Sequence, residues 1–98
     1  MTGKEILQQI RNNKDRLQKL GIIKIGLFGS YSRGDHSETS DVDLILEFNT
    51  DQKNFHNYMK VCDILEEIIP KKIDVVTPES LSPYIQPYIE KEAIYEKF

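Results

Sequence analysis

The sequence predicts an α/β (α+β) domain, a three-stranded mixed sheet flanked by helices in the order α-β-α-β-α-β-α. Three observations predict it. Two long stretches carry apolar residues at helical spacing, and three short apolar runs stop at turn residues. The connections between those runs differ in length, which sets strand direction. With 98 residues, no linker and no internal repeat, the chain reads as one domain, 1–98.

Thr2 followed by Glu5 has capping-box spacing and opens a helix. Ile6, Ile10, Leu17 and Leu20 then recur on one face, and Gly21 is placed to end that single helix. Ile22 to Phe28 is short, apolar and rich in β-branched residues, as a buried strand is. It stops at Gly29-Ser30, and a helical turn over Ser30 to Arg33 followed by a polar loop fits residues 30–40. Asp41 to Phe48 alternates, with Val42, Leu44, Leu46 and Phe48 on one face and Asp41 and Asp43 on the other. From Asn54 to Ile69, residues Phe55, Tyr58, Met59, Cys62, Leu65 and Ile69 follow helical spacing until Pro70. Ile73 to Val76 is the third strand. Pro83 and Pro87 then break the end of the chain into short helical pieces reaching Phe98.

Composition excludes several classes of function. Hydrophobic residues at 39% against 30% charged describe a globular domain, not a disordered chain. Thirteen Lys and Arg against sixteen Asp and Glu leave little from which to build a basic face for duplex nucleic acid. The lone Cys62 cannot form an internal disulfide, so a reducing, cytoplasmic setting is expected. The polar start has no signal-peptide pattern, and no apolar run approaches the roughly 18 residues of a membrane span.

Strand direction brings carboxylates together. The connection 29–40 is too short for a crossover helix, so the first two strands are expected antiparallel. The helix after the second strand predicts a parallel pairing with the third. Gly29-Ser30 then neighbours Asp41 and Asp43, and Asp74 reaches the same edge. Two aspartates two apart on a strand share a face and suit hard cations such as Mg²⁺. A glycine admits a phosphate close to the backbone, and the Ser30 hydroxyl can bind it. Asp74 can complete a metal site or take a proton from an attacking hydroxyl. These are the parts for metal-assisted nucleotidyl transfer. A lone D-x-D is a weak signal; joined to Gly-Ser at a fixed distance it is a specific one.

Gly29-Ser30, ten residues, then Asp41-Val42-Asp43 resembles the G-S-x10-D-x-D signature of the polymerase-β-like nucleotidyltransferase superfamily. The longer string Gly29-Ser30-Tyr31-Ser32-Arg33-Gly34 through Ser40-Asp41-Val42-Asp43-Leu44 is similar to the minimal nucleotidyltransferase (MNT) family, with Ser32 in place of the usual alanine. Ile73-Asp74-Val75-Val76 resembles the strand of its third carboxylate, and Ile89 to Tyr95 its usual ending. The resemblance implies a Mg²⁺-dependent enzyme, with two ions, moving AMP from ATP to a hydroxyl. Asp41 and Asp43 would bind metal, Asp74 would be a ligand or the base, and Gly29 and Ser30 would hold the triphosphate. Arg33 would either approach the phosphates or brace the loop through a carboxylate. The family also implies an antitoxin whose partner, and acceptor through a tyrosine, is a HEPN-domain toxin encoded nearby. The rival readings are an antitoxin that occludes its partner without catalysis, and a small-molecule nucleotidyltransferase. Assembly with itself or with a partner is left open.

Other residues have plainer readings. His36 in its polar loop reads as solvated rather than a ligand, His56 as surface and Cys62 as core. Lys71-Lys72 reads as a solvated turn. Tyr84, Tyr88 and Tyr95 suit either packing or an interface.

Overall fold

The computed structural model describes residues 1–98. Thr2 caps the first helix as its spacing predicts: its hydroxyl accepts from the Glu5 amide while Glu5 accepts from the Thr2 amide. The expected single helix is two, α1 (Gly3–Asn12) and α2 (Lys14–Lys19). Asn13 causes the break. Its side-chain amide donates to the Gln9 carbonyl, the acceptor its own backbone N–H would use, and that N–H turns to Ile10 instead. Ile6, Ile10 and Leu17 are nonetheless all buried on one side. Gly21, at φ +99°, ends α2 and turns the chain into the sheet.

Strand β1 (Ile22–Phe28) leads through a one-turn helix α3 (Ser30–Arg33) to β2 (Val42–Phe48). A short 3-10 turn precedes α4 (Phe55–Ile68), and β3 (Ile73–Val76) follows. The β1–β2 pair is antiparallel and β2–β3 parallel, as the connection lengths predict. Val42, Leu44, Leu46 and Phe48 are buried against Val61, Leu65 and Ile69, together with the apolar side of α1 and α2. That leaves Asp43 and Asp74 on the opposite side of the sheet from α4.

Two expectations are corrected. The sheet has four strands, not three, in the order β3-β2-β1-β4. After a 3-10 turn at Pro78–Ser80 and helix α5 (Gln86–Glu92), β4 (Ile94–Lys97) pairs antiparallel with β1. The proline-broken helical reading of the end of the chain therefore stops at Glu92. The inward face of α4 is also set differently. Val61 and Leu65 are fully buried, whereas Phe55 is 78% exposed, Met59 points outward and Cys62 is only half-buried. The helix is apolar over more than one face, so spacing alone does not choose the buried one.

Candidate active site

The site begins where β1 ends. Gly29 adopts φ +74°, a conformation that L side chains rarely take. A Cβ there would also run into the Asp43 carboxylate. Glycine is thus required twice, by backbone and by neighbour. Its carbonyl accepts from the Ser32 hydroxyl at 2.7 Å and from the backbone amides of Ser32 and Arg33, which locks the α3 turn. Ser30 is the first residue of that turn, and Gly34, at φ +81°, closes it.

Phe28 pairs with Asp43 across β1 and β2, and Asp43 pairs with Asp74 across β2 and β3. The sheet itself therefore holds Gly29, Asp43 and Asp74 in a row. Asp41 precedes β2 by one residue and is half-buried. Asp74 lies on the edge strand and is exposed, so it is not the buried charge that its apolar neighbours suggest. Asp43 is the constrained carboxylate. Burial pushes its pKa up, and the negative charges of Asp74, Asp41 and Glu92 push it further, with Arg33 alone opposing. Three acids within electrostatic reach of one another is the expected arrangement, although no three side chains close into a ready-made ligand cluster.

Arg33 is braced. Its Nε donates to Asp35 at 3.1 Å and its Nη1 to Glu92 of α5, so of the two roles the sequence leaves open the bracing one is seen. Glu92 is the residue that sequence reasoning missed. Nothing local marks it among the neighbouring acids, because its partner lies 59 positions away. His36 is also corrected: it is half-buried and stacks on Tyr31, with ring centroids 4.1 Å apart. Ser37 and Ser40 tie the rest of that loop through hydroxyl bonds.

The aspartates sit on an open shelf. The deeper concavities lie elsewhere: a groove of about 500 Å³ between Phe48, Phe55, Tyr58 and Val76, and one of about 610 Å³ behind α3, along Thr2, Tyr31, Arg33 and Ile94. No helix is long and apolar enough to cross a membrane.

A mixed sheet that sets paired aspartates beside a Gly-Ser turn defines the nucleotidyltransferase class of enzyme. Residues 7–96 match the family described as "Nucleotidyltransferase domain", and the chain belongs to that family. It is 37% identical over 97 residues to "Putative protein adenylyltransferase MJ1379" of Methanocaldococcus jannaschii, covering 96% of this chain and 97% of that one. It is 30% identical over 84 residues to "Protein adenylyltransferase MntA" of Thermococcus cleftensis, covering 86% and 84%. Among solved structures, "Structure of putative minimal nucleotidyltransferase" superposes with a TM-score of 0.82 at 23% identity, over 96% of this chain and 95% of that one. "Crystal structure of the toxin-antitoxin with AMP-PNP" superposes with a TM-score of 0.65 at 21% identity, over 97% and 72%. These two likenesses bear on the fold.

Proposed function

We propose that this enzyme transfers AMP from ATP to a protein hydroxyl, a tyrosine of a HEPN-type toxin, and so acts as the antitoxin of the pair. The observation that carries the reading is the row of Gly29, Asp43 and Asp74 set by strand register. The protein-adenylyltransferase names of the relatives and the toxin–antitoxin structure with a nucleotide analogue support it.

Asp41, Asp43 and Asp74 supply only carboxylate oxygens, the donors that Mg²⁺ prefers, and Asp43 carries the mutual repulsion that a cation relieves. The donor set fits a divalent metal. Asp41 and Asp43 would hold it, with Asp74 as a further ligand or as the base. Once bound, magnesium neutralises phosphate charge and aligns the displacement. Gly29 and Ser30 hold the triphosphate, with Arg33 beside them. The acceptor oxygen attacks the α-phosphorus, forming the phosphodiester bond. The bond from that phosphorus to the bridging oxygen breaks, and pyrophosphate leaves. In the base reading of Asp74, its exposed carboxylate takes the hydroxyl proton.

The acceptor reading rests on the open shelf. The aspartates line none of the concavities, so the shelf does not enclose a small acceptor, whereas a folded partner brings its own scaffold. Labelled ATP and Mg²⁺, incubated with the protein and the product of the adjacent gene, test the proposal. The expected result is a mass gain of AMP on the partner with wild type and none with Asp43→Ala. No transfer by wild type, or equal transfer by both, overturns it. Asp41→Ala with Asp43→Ala decides between catalysis and occlusion, because full protection of cells by that variant would mean that occlusion suffices.

A further inference from the structure

Glu92 occupies a position that needs a reason. It is the last residue of α5, where the helix carbonyls point outward and a carboxylate is electrostatically disfavoured. It also adds negative charge to a neighbourhood that already holds Asp41, Asp43 and Asp74. Its partner is Arg33, one turn behind Gly29, which Asp35 grips from the other side. The Arg33 side chain is 52% exposed and that of Glu92 30%. An ion pair so open to water contributes little to stability. What two carboxylates do achieve is to fix a guanidinium that otherwise samples many rotamers. Nε and Nη1 are engaged, and Nη2 has no protein partner.

We propose that Glu92 is a positioning residue for the nucleotide: it holds the Arg33 guanidinium at the Gly29–Ser30 turn so that Nη2 remains free for a phosphate. The proposal rests on the nucleotidyltransferase reading of that turn. It also ties α5, through the same ion pair, to the loop that receives ATP.

Simple electrostatics and positioning predict opposite signs, which makes the test sharp. Removing a carboxylate near a polyanion should tighten binding if charge alone matters. Removing a positioning residue should weaken it. Fluorescent mant-ATP with Mg²⁺ is titrated into wild type, Glu92→Gln, Glu92→Asp, Glu90→Gln and Arg33→Gln, with thermal melting as the check on folding. Glu92→Gln is expected to weaken binding about threefold to fivefold, the scale that a half-exposed ion pair supports. Glu92→Asp keeps the charge but loses reach and should weaken it too. Glu90→Gln removes a charge from the same helix and should bind as well as wild type or better. Arg33→Gln combined with Glu92→Gln should be no weaker than Arg33→Gln alone, because Glu92 acts through Arg33. Equal or tighter binding by Glu92→Gln, or further weakening in the double variant, overturns the proposal while leaving the nucleotidyltransferase reading intact. Wild type that fails to bind mant-ATP overturns both.

Discussion

At Gly29 one hydrogen in place of a methyl lets β1 turn at positive φ while the Asp43 carboxylate packs against the turn. Gly29→Ala meets both obstacles, so a loss of about 1–3 kcal/mol is expected in urea unfolding, with transfer activity falling alongside. Asp43 gives a second prediction, with a definite sign. Its folded pKa lies above the ordinary value of 3.8, raised first by burial and then by Asp74 and Asp41. Between those two values the folded protein binds a proton that the unfolded chain has released. Stability from this group therefore falls as pH rises through that window, and the loss is complete above the folded pKa. Asp43→Asn removes the loss. In EDTA the variant should be more stable than wild type at pH 7, with the difference shrinking as pH drops toward 3.8. A variant less stable at pH 7 would mean that Asp43 is not under repulsion. A carboxylate held at the expense of stability is what the proposed catalytic role of Asp43 would ask of a small fold.

The elements differ in how much of them the sequence discloses. Strands β1 and β3 and the α3 turn carry their signals locally, in β-branched runs and in a Gly-Ser stop, and they lie where periodicity puts them. The Gly29–Asp43–Asp74 row was legible too, because connection length fixes strand direction and direction fixes which ends meet. The break at Asn13, the outward turn of Phe55 and the Arg33–Glu92 pair were not, since each depends on a competing bond or on a partner distant in sequence. β4 falls between these cases. Ile94-Tyr95-Glu96-Lys97-Phe98 alternates, but it is short and has partly exposed apolar residues. Its place comes from contacts beyond itself. Glu96 takes a bidentate bond from Arg11, Lys24 lies over the Tyr95 ring at 4.4 Å, and Phe98 packs on the core. Deleting residues 94–98 should cost about 3 kcal/mol or more, through lost pairing with β1 and lost apolar contact. Glu96→Ala removes a pair with one exposed and one largely buried member, Arg11 at 61% and Glu96 at 16%, and should cost about 1–2 kcal/mol, less than the deletion. Equal losses would place the contribution of β4 in the ion pair rather than in the strand.

As a whole the molecule buries most of its apolar side chains on one side of the sheet and sets Asp43 and Asp74 on the other, where Ile45 is also buried. Large apolar residues remain in water in two main places, around Phe55 and Met59 on α4 and at Tyr84, Ile85 and Tyr88. The second group belongs to the segment that runs from β3 to α5, and α5 ends at Glu92, which is tied to Arg33. It is therefore an apolar surface linked to the candidate site through the Arg33–Glu92 pair. Tyr84 is 85% exposed and Tyr88 77%, so neither contributes much to the fold, and tyrosines left this open are typical of contact surfaces. A folded partner that presents its hydroxyl to the shelf is expected to dock on this surface. Tyr84→Ser combined with Tyr88→Ser should leave stability within about 0.5 kcal/mol of wild type. Binding of mant-ATP should be unchanged, because neither side chain belongs to the turn or to the aspartate row. Transfer of AMP to the partner should fall at least about tenfold, the effect of losing one good tyrosine anchor. Intact mass of the partner after a timed reaction measures the loss. Undiminished transfer would send the docking surface to the other apolar region, beside Phe55.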